Sequence, residues 1–322
     1  RDEEDSQVAI VKYLLALGEF DQLDAMADNL RTTKARFKRG RWKLSTFYEA
    51  LLDLEKGDSW EQQLQLFEKW SSTRPVSITA RVAAGSLLAN AAWLARGESY
   101  IKDVSEENLK LFEERLASAR TVLEEAEKLP TKCPALYSAL QTVAKGQGWD
   151  REEYENLFKK AVALEPLYTD FYVKKVYHLM PHWYGSPGEW EKFVEESAEA
   201  VKDSVGMELY TRIIWNIAPG YVKRGRYLFL RTDVSWPKMR QGFLDIDKRY
   251  PDSLILLNTF AWFAYQAGDK ETAKTIFARI GDRYDPGVWG NPVRYSRCRR
   301  LANEGGDRQR FVKFVRKCAK FL

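Results

Sequence analysis

The chain's two histidines, His178 and His182, stand four residues apart, the spacing that turns two imidazoles to one helix face and lets them share a metal ion. Pro181 lies between them. Its ring removes a backbone donor and clashes with the preceding turn, so the helix should end near His178 and the geometry should be lost at His182. No HExxH pattern surrounds the pair, and a third ligand would have to come from a distant carboxylate. The expectation is no metal and no cofactor. His178 should be packed or hydrogen-bonded, and His182, Trp183 and Tyr184 become candidate contacts for a partner.

Carboxylates are plentiful but interleaved with bases at helical spacing, as in Glu152, Glu153, Glu155 and Lys159, the pattern of a solvated face. Two distant acids could still converge as a glycosidase-like acid and base, with some of the 11 Trp and 16 Tyr lining a sugar groove. A carbohydrate-active enzyme is therefore one alternative. No GxSxG, P-loop or GxGxxG motif occurs, which leaves hydrolase, NTPase and dinucleotide readings without a foothold.

Basic charge is more pointed. From Arg294 to Leu322 ten Lys or Arg oppose Glu304 and Asp307, a local charge of +8 in a chain whose total is +5. A second run, Arg31, Lys34, Arg36, Lys38, Arg39, Arg41 and Lys43, contains no acid and interleaves Phe37 and Trp42. Either could meet phosphate or an acidic partner, so binding of nucleic acid or another polyanion is the second alternative. Arg36, Arg39, Arg41 and Trp42 in the first run, with Arg299, Arg300, Arg316 and Lys317 in the second, are the candidate contacts. Neither run belongs to a known nucleic-acid-binding motif.

The elements that would carry these side chains are helices. Phe67, Trp70 and Pro75 are spaced like Phe158, Ala161 and Pro166, and like Phe243, Ile246 and Pro251; Phe277, Ile280 and Pro286 repeat the phrase with one residue added. With 16 Phe in 322 residues, eleven Pro would meet a Phe eight positions upstream in about half of one case. Phe243 and Phe277 are 34 residues apart, the period of a tetratricopeptide-type helix hairpin. Apolar residues recur at three and four almost throughout, most clearly at Leu109, Phe112, Leu116, Ala119, Leu123 and Ala126 behind a cap at Ser105. Asp150 with Glu153, and Ser186 with Pro187 and Glu189, read as further helix starts. Helices are also expected at 43–56, 77–96, 168–179, 207–217, 236–250, 253–267, 270–280, 292–303 and 308–321, among others. An insert at about 219–237 should interrupt them, with Tyr227 to Leu230 extended. The expected fold is all-α, one TPR-like superhelix of antiparallel hairpins over residues 1–322, ended by a basic helix pair at about 292–322.

Charged residues make up 30% and apolar ones 45%, and no run of 18 apolar residues occurs, so neither a membrane span nor a disordered chain fits. Three cysteines, with no CxxC pair, exclude a disulfide scaffold; a bridge between Cys298 and Cys318 stays open. The chain opens on Arg1 and an acidic stretch, which fits the cytoplasm, or the periplasm or exterior after removal of a leader.

Several phrases are similar to a bacterial domain-of-unknown-function family with a tetratricopeptide-like helical core. They are Arg41 to Leu44 followed by Phe47 and Tyr48, the Ala92 to Gly97 segment, the Gly146 to Trp149 turn, and PHWYGSPGEW from Pro181 to Trp190. The likeness covers about residues 6 to 217. It implies the helical fold and no assigned activity. Beyond it, Ala261, Ala264, Gly268, Asp269, Ala273 and Phe277 occupy tetratricopeptide-like positions. The functional expectation is a non-enzymatic scaffold whose groove binds a protein or peptide.

Overall fold

The computed structural model describes residues 2–54, 59–97, 103–223, 228–251 and 253–304. The fold is all-α: the described residues form eighteen helices and no strand. They group into two compact units, one of residues 1–37 and 41–175, the other of 38–40 and 176 onward. The first holds α1 (Asp2–Leu17), α2 (Phe20–Thr33), α3 (Lys43–Leu52), α4 (Trp60–Thr73), α5 (Ile78–Arg96), α6 (Glu106–Glu127), α7 (Pro134–Gln147), α8 (Arg151–Leu164) and most of α9 (Thr169–His178). The second holds α10 (Glu189–Ala200), α11 (Lys202–Val205), α12 (Glu208–Lys223), α13 (Leu228–Arg231), α14 (Trp236–Arg249), α15 (Leu254–Ala267), α16 (Lys270–Ile280), α17 (Pro286–Trp289) and α18 (Pro292–Asn303).

The Phe and Pro phrase is realised as one recurring turn. α4, α8 and α14 end at Arg74, Glu165 and Tyr250, each immediately before a Pro and each with φ between −149° and −128° and ψ between 67° and 89°. A residue preceding Pro is barred from the helical region, which is why the three caps share this conformation. Their backbone N–H groups donate back to the carbonyls of Trp70, Ala161 and Ile246, the small or apolar position of each phrase. Those three side chains are fully buried, as are Phe67, Phe243 and Phe277. Phe158 departs: it is half-buried, with Lys175 Nζ 4.0 Å above its ring.

Helix starts follow local chemistry. Ser105, Asp150, Ser253, Asp269 and Asn291 each accept a backbone N–H from the first turn of the helix that follows, offsetting donors that have no partner inside a helix. α9 ends at His178, as Pro181 requires. In the second unit Phe243 stacks on Phe260 at 4.7 Å and meets Phe263 at 5.7 Å. In the first, Phe20 stacks on Trp70 at 5.3 Å, and the buried Asp24 accepts from Trp70 Nε1 at 3.3 Å and from Ser77 Oγ at 2.6 Å.

Three expectations are corrected. The helix expected to stop near 217 continues through Pro219 to Lys223. A Pro inside a helix costs about 3 kcal/mol, but Leu209, Tyr210, Ile213, Ile214 and Ile217 bury one face of α12 at about 1.5–3 kcal/mol each, so packing wins. Leu228 to Leu230 are helical rather than extended: Thr232 Oγ1 donates to Leu228 O, and Phe229 lies edge-on to Trp236 at 5.8 Å. The cap of α10 is Gly188 at φ 81°, not Ser186; Ser186 keeps half of the expected box, donating its N–H to Glu189 Oε2 at 2.8 Å. Tyr227, the first residue of the stretch expected to be extended, and the helix expected at 308–321, with Cys318, lie outside the described residues. Cys298 is buried. α5 is the one described helix long and apolar enough to cross a membrane, yet 67% of its most apolar window is buried inside the fold.

Candidate functional site

The first basic run is not a free patch. Arg31 donates to Asp28, Thr79 and Tyr48, Lys34 pairs with Glu165, Arg41 with Glu49 and Lys43 with Glu3. Phe37 N–H donates to Arg41 O and Lys43 N–H to Ala35 O, so residues 35–43 close into a short loop. Within it the Arg36 guanidinium lies 4.1 Å over the Trp42 ring. Trp42 is 4% exposed, and its Nε1 donates to Leu167 O at 3.0 Å, which makes it a core residue and corrects its expected place as a surface anchor. In the second unit, the carbonyl of Arg39 accepts both Arg212 Nη atoms at 3.2 Å.

His182, Trp183 and Tyr184 do fall together, on the turn after α9. Trp183 N–H donates to Met180 O at 2.8 Å and Tyr184 N–H to His178 O at 3.1 Å. A Cβ at Gly185 would collide with the Leu179 carbonyl, so the tight turn requires glycine there. His178 is buried and stacks on Tyr184 at 4.8 Å; His182 is exposed. The two imidazoles thus lie in different environments. Arg299 donates to Gly281 O at 3.0 Å and Asp282 at 2.8 Å, and Arg300 pairs with Glu304 at 3.5 Å. Arg316 and Lys317 lie outside the described residues.

A different set of residues converges. In the first unit a groove of about 290 Å³ is lined by α3, α5, α7 and α9. Each helix contributes one polar pair at i, i+4: Ser45 and Glu49, Ser86 and Asn90, Ser138 and Thr142, Asp170 and Lys174. That spacing puts both members on one helix face, so four helices turn the same kind of stripe into one space. Ala89, Ala135 and Ala139 lie between the pairs, and their small side chains keep the groove open. The sequence reading missed this set. The available signal was the recurrence of a short polar pair four apart in otherwise apolar helices, most visible in α5, where Ser86 and Asn90 interrupt a run of Ala and Leu.

One end of the groove is a settled hydrogen-bond network. Ser45 Oγ donates to Asp170 Oδ2 at 2.8 Å and lies 3.0 Å from the Tyr168 hydroxyl. Burial, reinforced by Asp170, holds the Tyr168 phenol well above its ordinary pKa, so it stays a neutral donor. Tyr48 is held up in the same way, by burial and then by the Cys133 thiol 3.3 Å away. Burial lowers the Lys174 ammonium pKa while Asp170 and Glu49 pull it back up. Lys174 forms no ion pair among the described residues. No group of three or more His, Cys, Asp or Glu among the described residues is placed to hold a metal ion.

Comparison of the chain with protein-family models, curated proteins and solved structures finds no match.

Proposed function

We propose that the chain is a non-enzymatic scaffold, a TPR-like superhelix of helix hairpins, that binds a peptide or protein segment in the groove of its first unit. The observation that carries this reading is the fourfold repetition of an i, i+4 polar pair on α3, α5, α7 and α9 around one groove. Hydroxyl and amide groups at regular intervals suit the main-chain donors and acceptors of an extended peptide, which recur at their own regular interval. At about 290 Å³ the groove is at the lower limit of small-molecule sites, and it is formed across four elements rather than closed within one. Stacked hairpins produce this kind of continuous surface.

Selection from a displayed random-peptide library tests the reading. Peptides should be recovered on the folded protein, and Ser138→Trp, which fills the groove, should abolish their binding. Ser118→Trp, on the exposed side of α6, should leave it intact. Failure to select any peptide, or binding indifferent to Ser138→Trp, would end the proposal.

A further inference from the structure

α1 carries two apolar faces. Val11 and Leu15 lie on the one buried in the first unit. On the other, Ile10, Tyr13 and Leu17 are 50%, 64% and 58% exposed, at the i, i+3, i+7 spacing that lines large side chains into one seam along a helix. The exposed Ala9 and Ala16 border the seam and are small enough to let another helix come close. Apolar side chains scattered singly over a surface need no explanation; three in one seam of one helix mark a contact.

The charge beside this seam is negative. Residues 2–30 hold eight acids and the single base Lys12, which Asp53 pairs at 2.8 Å. Glu3, Asp21, Asp24 and Asp28 are engaged by Lys43, Arg74 and Arg31. Asp5, before the seam, and Glu19, just past its end, are exposed and form no ion pair among the described residues.

The chain holds the complement of that surface in its own sequence. From 308 to 322, outside the described residues, Phe311, Phe314, Val315, Cys318, Phe321 and Leu322 recur at three and four, the spacing of one helix face. Arg310, Lys313, Arg316, Lys317 and Lys320 fall on the opposite face at the same period, and no acid occurs. Pairing α1 with α1 would set acids against acids, and pairing two basic segments would set cations against cations. Like charges across an interface are costly, so the mixed pair is the one that joins both apolar seams with opposite charge.

We propose that the exposed face of α1 docks the segment 308–322 of a second copy of this chain. Ile10, Tyr13 and Leu17 take its Phe and Val face, and Asp5 and Glu19 meet cations along its basic edge. The contact is separate from the peptide groove, to which α1 contributes no residue. A seam this short is small beside the roughly 1,200 Å² of a stable interface, so the association should be micromolar rather than tighter.

Sedimentation velocity of the full chain from about 1 to about 200 µM tests the contact, and the wild type should associate as concentration rises. Raising salt from about 50 to about 500 mM should weaken association severalfold, because the charge pairs are screened. Two double variants, Ile10→Ser with Tyr13→Ser and Phe314→Ser with Phe321→Ser, should each weaken self-association at least about tenfold and keep the helical circular dichroism of the parent. Mixed together they should form a 1:1 complex, since one keeps the basic segment and the other keeps α1. Leu17→Ser, at the other end of the seam, gives the same readout should the double change in α1 disturb folding.

A wild type that stays monomeric throughout would overturn the proposal. So would association that survives the changes in α1, or two variants that fail to complement each other, which would mean that one surface pairs with itself. Dissociation of the wild type by an equimolar dT10 oligonucleotide would assign the basic segment to a polyanion and overturn the docking as well.

Discussion

Phe243→Ala should be among the most damaging single changes in the second unit. Its side chain is fully buried, stacked on Phe260 at 4.7 Å with an interplanar angle of 11°, with Phe263 at 5.7 Å and Trp215 at 6.2 Å. The substitution removes a ring of six carbons, roughly 5 kcal/mol at about 0.8 kcal/mol per buried carbon. Rigid rings on several sides collapse poorly into the space, so little of that is recovered, and the expected loss is about 3–5 kcal/mol. For a unit of this size each kcal/mol moves the melting temperature by about 2–4 °C, which places the variant roughly 6–20 °C below the parent. Leu244→Ala is the internal control. Leu244 is the next residue on the same helix but is 37% exposed, so its removal should cost under about 1 kcal/mol. Differential scanning calorimetry of both variants measures the contrast. If Phe243→Ala melts within about 2 °C of the parent, or no lower than Leu244→Ala, the aromatic stack is not what holds α14 to α15.

Phe277→Ala, which empties a buried site beside Trp289 at 5.4 Å and Tyr295 at 5.5 Å, should show a loss of similar size in urea melts. Glu208→Gln should cost about 3–5 kcal/mol in the same assay, because the buried carboxylate pairs with Arg212 Nε at 2.6 Å and Arg249 Nε at 3.1 Å, and Arg212 would be left as an uncompensated buried cation; Glu199→Gln, at an exposed pair, should change stability by under about 0.5 kcal/mol. Gly242→Ala should destabilise by about 1–3 kcal/mol despite its helical position, since a Cβ there meets Met207 O and Thr211 Oγ1; a variant more stable than the parent would show that α12 and α14 do not approach so closely. Burial raises Tyr172 and Tyr210 to about 12, above the ordinary tyrosine value near 10. The unfolded chain therefore releases phenolic protons first, so stability from these groups is intact below about pH 10 and lost between about pH 10 and 12. Melting temperatures that stay flat across that window would contradict the burial.

The sequence by itself determined the helices, and the reason is that their causes are local. Capping residues such as Ser105 and Asp150 act over three positions, apolar stripes repeat within two turns, and Pro75, Pro166 and Pro251 constrain the residue directly before them. Errors arose where a local rule competed with distant packing. Pro219 should break α12 on local grounds, and the buried face of that helix overrides it; Leu228 to Leu230 look extended until Phe229 meets Phe263. Charge was the least legible property. A run from Arg31 to Lys43 adds up to a basic patch in sequence, but Glu3 and Glu165, which pair with Lys43 and Lys34, are 40 and 131 positions away from their partners, and only the folded chain brings them in. The groove has the same origin. Ser45, Asn90, Thr142 and Lys174 are each unremarkable on their own helices, and they form one surface because helices separated by dozens of residues pack side by side. Helix formation depends on neighbours in the chain; a binding surface depends on neighbours in space.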